Sequence, residues 1–212
     1  MNKLIHRAVR RDLHRFRSAL AAFGDGDRDR AAALHRAWEN FEAQLTEHHQ
    51  GEHEIAWPAL TAIGVTGPTI DSFDAEHDAM AADLALAGDA MRQLRDSASR
   101  SDADAAGVAM ARLEGTTVTH LDHEEQETEA PLVQHQSHPA VKDMGRRFSR
   151  RSGPATAGTF FAWMQDTPSS ADSAALREHV PGPVLTVLGG LFGRRYRREV
   201  APVWAGTDAG SA

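Results

Sequence analysis

The chain of 212 residues contains no cysteine. That absence excludes disulfides, thiolate zinc sites, iron–sulfur clusters and a cysteine nucleophile, and it leaves His, Asp, Glu and Tyr as the strong metal ligands. Long apolar runs are missing too. The longest, Val184 to Phe192, is too short to span a bilayer and is interrupted by glycines. The N-terminal stretch MNKLIHRAVRRDL has neither the apolar core nor the cleavage site of a signal peptide, so a cytoplasmic location is expected. A hydrophobic share of 41% is enough to build a core. One ordinary domain, alone or with an appendage, is therefore expected rather than wholesale disorder.

The net charge of −7 is unevenly spread. Residues 1–131 hold 13 Lys+Arg against 24 Asp+Glu, whereas residues 132–212 hold 10 against 6. An acidic N-terminal part argues against nucleic acid as its main partner. The basic part carries two arginine clusters, Arg146 to Arg151 and Arg194 to Arg198. They are expected to be solvated or to dock on the acidic part, with an anion or membrane patch as the lesser alternative.

What is present is a set of helical stripes. The first runs His6, Val9, Leu13, Phe16, Leu20, Phe23, and the second Leu34, Trp38, Phe41, Leu45, His48, Glu52, Ile55. The third runs Ile70, Phe73, His77, Met80, Leu84, Ala87, Met91, Leu94, and the fourth Met110, Leu113, Thr117, His120, Glu124. Alternating steps of three and four trace one helix face, the seam that packs against neighbours. Helices are predicted over about 4–23, 28–57, 70–98 and 102–130, with Pro131 following the last. The stretch Asp25 to Asp29 looks like a calcium loop but has Arg30 and Arg36 where Gly and Glu are required, so it reads as a turn and helix cap. Beyond Pro131 three short helices are expected over 154–165, 170–179 and 182–200, with Phe160, Phe161, Trp163, Leu185, Leu188, Leu191 and Phe192 covering the N-terminal part. The fold class is then all-α: an up-down-up-down four-helix bundle over residues 1–135 and a helical C-terminal extension over 136–212.

Six polar residues, His6, His48, Glu52, His77, His120 and Glu124, fall on the buried seams. A carboxylate there is costly unless it is paired or metal-bound. The pattern is duplicated: His6 to His48 spans 42 residues, His77 to His120 spans 43, and each pair ends in His-x-x-x-Glu. At ~1.5 Å rise per residue, arms of about 20 residues on either side of each turn bring all four histidines to one level. His14 is off the stripe and off that level. His and Glu at i and i+4 project from one face and can reach one metal centre. If both glutamates bridge, each of two metals receives two imidazoles and two oxygens, a set that suits iron or manganese with positions left open. His35, His53, His135, His138 and His179 carry no pattern and are expected at the surface. Asp122, His123, Glu125, Glu127 and Glu129 read as a solvated face that includes a possible partner for a ligand. His53-Glu54 is not a metalloprotease motif, because position 57 is Trp.

Over about residues 3–135 the sequence resembles the hemerythrin-like (HHE cation-binding) family. The resemblance rests on His6, Glu47-His48-His49-Gln50-Gly51-Glu52 with Trp57-Pro58, Glu76-His77, and His120-x-x-His123-Glu124-Glu125. It implies a non-haem di-iron centre, oxo- or hydroxo-bridged, inside a four-helix bundle. It also implies a site that binds or reacts with O₂, peroxide or nitric oxide, or reports iron and redox status; peroxide dismutation is one candidate reaction. The family's oxygen carriers have His-x-x-x-His on the third helix, whereas here Phe73 precedes His77 by four, so one iron lacks a nitrogen. Two readings of His49 stay open, a further ligand at the seam's edge or an exposed residue or neighbour of the ligands. Phe73 and Thr117 are expected to shape the small-ligand pocket. No partner protein is indicated.

Overall fold

The structure is a computed structural model that describes residues 1–205. The described residues are helical throughout, with no strand among them. Four long helices dominate: α1 (Asn2–Ala21), α2 (Arg28–Gly51), α4 (Gly67–Ser97) and α5 (Arg100–Gln134), with a π-helical turn (Glu52–Ala56) and the short α3 (Trp57–Ala62) between α2 and α4. The starts of α2, α4 and α5 follow the expected cap chemistry, in which a side-chain oxygen takes one of the unpaired first-turn N–H groups. Asp27 accepts from the Arg30 amide at 2.9 Å and Ser99 from the Asp102 amide at 3.1 Å. Gly64, at φ +98°, ends α3 in a conformation that a side chain would strain.

The long helices pack in a ring, α1 on α2, α2 on α4, α4 on α5 and α5 on α1. Each neighbouring pair runs antiparallel. Along α1 and α5, Lys3 pairs with Glu129, Arg10 with Asp122 and Arg17 with Glu114. On α4 and α5, Glu76 meets His120 and Asp83 meets Arg112. On α1 and α2, His6 faces His48 while Phe16 faces Trp38. The α1–α2 and α4–α5 turns meet at one end, where the Gly26 amide donates to the Ala98 carbonyl at 2.7 Å.

Between these helices lies a core of fully buried Leu13, Phe16, Leu34, Trp38, Phe41, Leu45, Leu94 and Met110. Burial of each large side chain contributes about 1.5–3 kcal/mol. The predicted apolar stripes are the faces that meet here. Helix ends shift by a few residues, and two departures have a structural consequence. Pro131 lies inside α5 rather than beyond it; sitting in the last turn, it forfeits only one hydrogen bond. The second helix does not run straight to Trp57 but switches to the π turn at Glu52.

The C-terminal part holds α6 (Pro139–Arg151), α7 (Pro154–Met164), α8 (Ser170–His179), α9 (Gly182–Val187), a π turn (Leu188–Phe192), α10 (Arg194–Glu199) and a final 3-10 turn (Ala201–Trp204). Trp163, Leu176, Leu185, Tyr196 and Trp204 belong to the same apolar cluster as the long-helix core. A buried polar lock reinforces the contact: Trp163 Nε1 donates to Asp12 at 2.7 Å, and Arg15 and the Tyr196 hydroxyl both donate to Asp166 at 2.8 Å. Leu191 and Phe192, expected to cover the bundle, are instead exposed. The elements expected beyond Pro131 do not include α6. Its Val141 and Met144 pack against a second cluster of Trp57, Leu60, Ile63 and Phe73.

Candidate metal centre

The chemistry begins with angles on α2. Successive helical residues are ~100° apart, so Glu52 sits ~40° from His48 and ~60° from His49, one turn further along. It is therefore flanked by two histidines of its own helix. α1 contributes His6, α4 His77, and α5 the pair His120 and Glu124. The result is two donor groups: His49, Glu52, His77 and His120 in one, and His6, His48, Glu52 and Glu124 in the other. Within each, one ligand atom per residue lies within 4.8 Å of all the others.

The two Glu52 oxygens point to different groups. Oε1 is 3.0 Å from His48 Nε2, and Oε2 is 3.5 Å from His77 Nε2. His77 and His120 bring their Nε2 atoms to 3.0 Å, and His6 Nε2 lies 3.1 Å from Glu124 Oε2. About 3 Å is the separation of adjacent donors on one ion with bonds of ~2.1 Å. His6 Nε2, His48 Nε2, His49 Nε2, both Glu52 oxygens and Glu124 Oε2 are buried with no hydrogen-bond partner among the described residues. Orphaned atoms of this kind cost free energy unless something else satisfies them. A donor set of imidazoles and carboxylates fits a divalent or trivalent iron or manganese ion.

The outward ring atoms are held. His120 Nδ1–H and His123 Nδ1–H both donate to the Glu76 carboxylate at 2.8 Å. His6 Nδ1–H donates to Glu125 at 2.8 Å, and Asn2 donates to Glu124 Oε1 at 2.9 Å. Such partners fix the tautomer that leaves Nε2 bare. Glu125 and His123 lie on the face expected to be solvated and to include one such partner, whereas sequence reasoning misses Glu76. It stands in the Glu76-His77 pair of the family resemblance, but its role has no signal along the chain, since it reaches across to α5.

Electrostatics favour the neutral, ligating form of His48, His49, His77 and His120 but not the ligating forms of His6 and Glu52. Burial, then the neighbouring imidazoles, pushes His48 and His49 well below the usual histidine range. Burial and His120 bring His77 down to about 4, and burial lowers His120 despite Glu76. For His6 burial also pulls downward, but the Glu124 and Glu125 carboxylates outweigh it and the net shift is upward. Burial and the nearby Glu124 raise Glu52 well above the carboxylate range, a penalty that a cation would remove. The hydrogen bond from His6 holds Glu125 down to about 2.

Two features of the geometry bear on the expected donor set. Glu52 alone is common to both groups, so the donors divide as three imidazoles with one carboxylate and two imidazoles with two. His49 joins the donor group of His77 and His120, its ring stacked on that of His77 at 4.2 Å. Phe73 is fully buried, edge-on to His120 and beside Trp57, which in turn stacks on His77. Thr117 is buried, its hydroxyl unpartnered among the described residues, on the same α5 face as His120. His14 is exposed. His35 is not at the surface but only 8% exposed; it lies beside the core residue Leu34 on α2. None of the metal-centre histidines lines the cleft of about 600 Å³ between α1 and α7–α9.

No curated protein and no solved structure matches the chain. The family model for the hemerythrin HHE cation-binding domain matches residues 3–130, the span that supplies every donor described above. The chain belongs to the hemerythrin HHE cation-binding domain family.

Proposed function

We propose that this chain is a non-haem di-iron protein that binds or reacts with O₂, peroxide or nitric oxide. The ligands would be His6, His48, Glu52, His77, His120 and Glu124, with His49 as a seventh. The observation that carries the reading is the pair of donor groups joined through the two oxygens of Glu52. Iron, when bound, supplies electron transfer to or from a small ligand at positions the protein donors leave free. The chain's own residues do the rest. Glu76 and Glu125 orient imidazoles, Asn2 holds Glu124, and Phe73 walls the site against water. Thr117 offers a buried hydroxyl able to donate to a small polar guest. In this reading the long helices form an up-down-up-down bundle over residues 1–135, and residues 136–212 an extension, of which 206–212 lie outside the described residues.

A second reading is a non-enzymatic iron, oxygen or redox sensor. It is favoured by α6, which sits on the helix that bears His48, His49 and Glu52: Arg151 pairs with Glu47 and Glu54, and Phe148 lies against Gly51. Loss of metal from that helix would then be felt by α6. Aerobic iron loading followed by elemental analysis tests the metal claim, with about two irons per chain expected for a paired site. Loss of iron in His120→Ala but not in His14→Ala supports it; equal content in both overturns it. Peroxide consumption by the loaded protein supports chemistry. Metal-dependent protection of α6 from hydrogen exchange, without turnover, supports the sensor.

A further inference from the structure

The helical run formed by α9 and its π turn packs unusually close to α7. A Cβ on Gly158 would sit 2.2 Å from Phe192 Cβ and 2.7 Å from the Leu188 carbonyl, and a Cβ on Gly193 would sit 2.9 Å from the Gly158 carbonyl. Glycine thus lets the two backbones touch. Leu185 and Gly189, at a step of four, are buried. The other side of the same helical run is left outward. Val184, Val187 and Leu191, at steps of three and four, are 40%, 52% and 55% exposed, and Phe192, whose Cβ lies against Gly158 at the edge of the contact, is still 42% exposed. Four of the large apolar side chains most open to water therefore fall within nine residues.

This face cannot turn inward, because the glycine contact fixes the rotation of the helix. A contiguous exposed apolar patch marks an interaction surface more often than chance exposure. The charges just C-terminal to it decide the partner. Arg194, Arg195 and Arg198 are exposed, and of these three only Arg195 has an acidic partner among the described residues, Glu199. The first arginine cluster, by contrast, is partly spent on the long helices through Arg151. Apolar side chains beside uncompensated arginines form the two-part signal of a helix that lies on an anionic bilayer, its aliphatic groups among the acyl chains and its guanidinium groups among phosphates.

We propose that the segment from Val184 to Arg198 is a docking surface for anionic lipid. The contact is peripheral: no helix among the described residues is long and apolar enough to cross a membrane. It does not depend on the metal reading, since none of its residues is a candidate ligand.

The test is co-sedimentation of the full chain with phosphatidylcholine vesicles and with phosphatidylcholine vesicles containing phosphatidylglycerol. Partitioning about tenfold stronger on the anionic vesicles is expected, since each arginine near such a surface is worth ~1 kcal/mol. It should fall with added salt. The double variant Val187→Asn/Leu191→Asn should abolish binding, and Arg194→Glu/Arg198→Glu should erase the preference for anionic lipid. Both pairs are solvent-exposed, and circular dichroism checks that the fold is retained. Absence of partitioning, or binding indifferent to these variants, overturns the proposal. So does a concentration-dependent dimer that Val187→Asn/Leu191→Asn converts to monomer, which would assign the patch to a second copy of the chain.

Discussion

Replacing Glu52 by Gln preserves the shape of the side chain and removes the charge that both donor groups share. Glu124 belongs to one group only. Glu52→Gln should therefore reduce bound iron well below one per chain, whereas Glu124→Gln should leave about one of two, if paired carboxylate sites of this kind fill independently. Elemental analysis of the two variants decides it, and equal losses would remove Glu52 from its bridging place. The same residue-level logic applies to His35 on the opposite reach of α2. Burial lowers it, then Arg95 and Arg92 on α4, while Glu39 and Asp96 resist. A folded pKa below the unfolded 6.5 means that the unfolded chain binds more protons between the two values. The His35 contribution to stability is thus present above pH 6.5 and fades as pH falls through its folded pKa. Urea melts of the metal-free chain and of His35→Gln should give a stability difference that shifts in favour of the variant on acidification. A difference independent of pH would place His35 in water.

At the scale of elements, what was legible in the sequence was what periodicity encodes. The stripes of α1, α2, α4 and α5 placed His6, His48, His77 and His120 at one level, and the helices observed differ from the expected spans by a few residues at their ends. The π turn at Glu52 was not legible, because one extra residue in a turn leaves the preceding stripe untouched. α6 had a signal, the spacing of Val141, Met144 and Phe148, but it is short and lies among charges. Glu76 reaching His120 depends on how α4 and α5 pack, which no single-helix pattern contains. The close approach of α9 to α7 is likewise a matter of two backbones, and it gives a sharp expectation. Gly158→Ala puts a methyl group into backbone atoms of Leu188 and Phe192. The cost should be about 1–3 kcal/mol. Hydrogen exchange should show it as lost protection over residues 182–199 with the α1–α5 core unchanged; full protection would mean that this helical run simply slides.

For the molecule as a whole, the candidate metal centre sits at a place where the fold is working against itself. Buried imidazoles crowd one another, Glu52 is driven toward its neutral form, and unpartnered donors line the gap between four helices. The apolar core near the α1–α2 and α4–α5 turns must carry that penalty alone when no cation is bound. A bound ion satisfies the same atoms and is released on unfolding, so metal binding adds directly to stability. At a free iron concentration of about 100 times Kd the gain is ~2.7 kcal/mol per site. Chelation of the loaded chain should therefore lower the urea midpoint, with hydrogen exchange accelerating first at the end of the molecule that holds His6, His48, His77 and His120. In Glu52→Gln the midpoint should be insensitive to chelator and close to that of the stripped wild type. An unchanged wild-type midpoint after complete metal removal would mean that the donors are satisfied by one another, and the two groups joined at Glu52 would no longer require an ion.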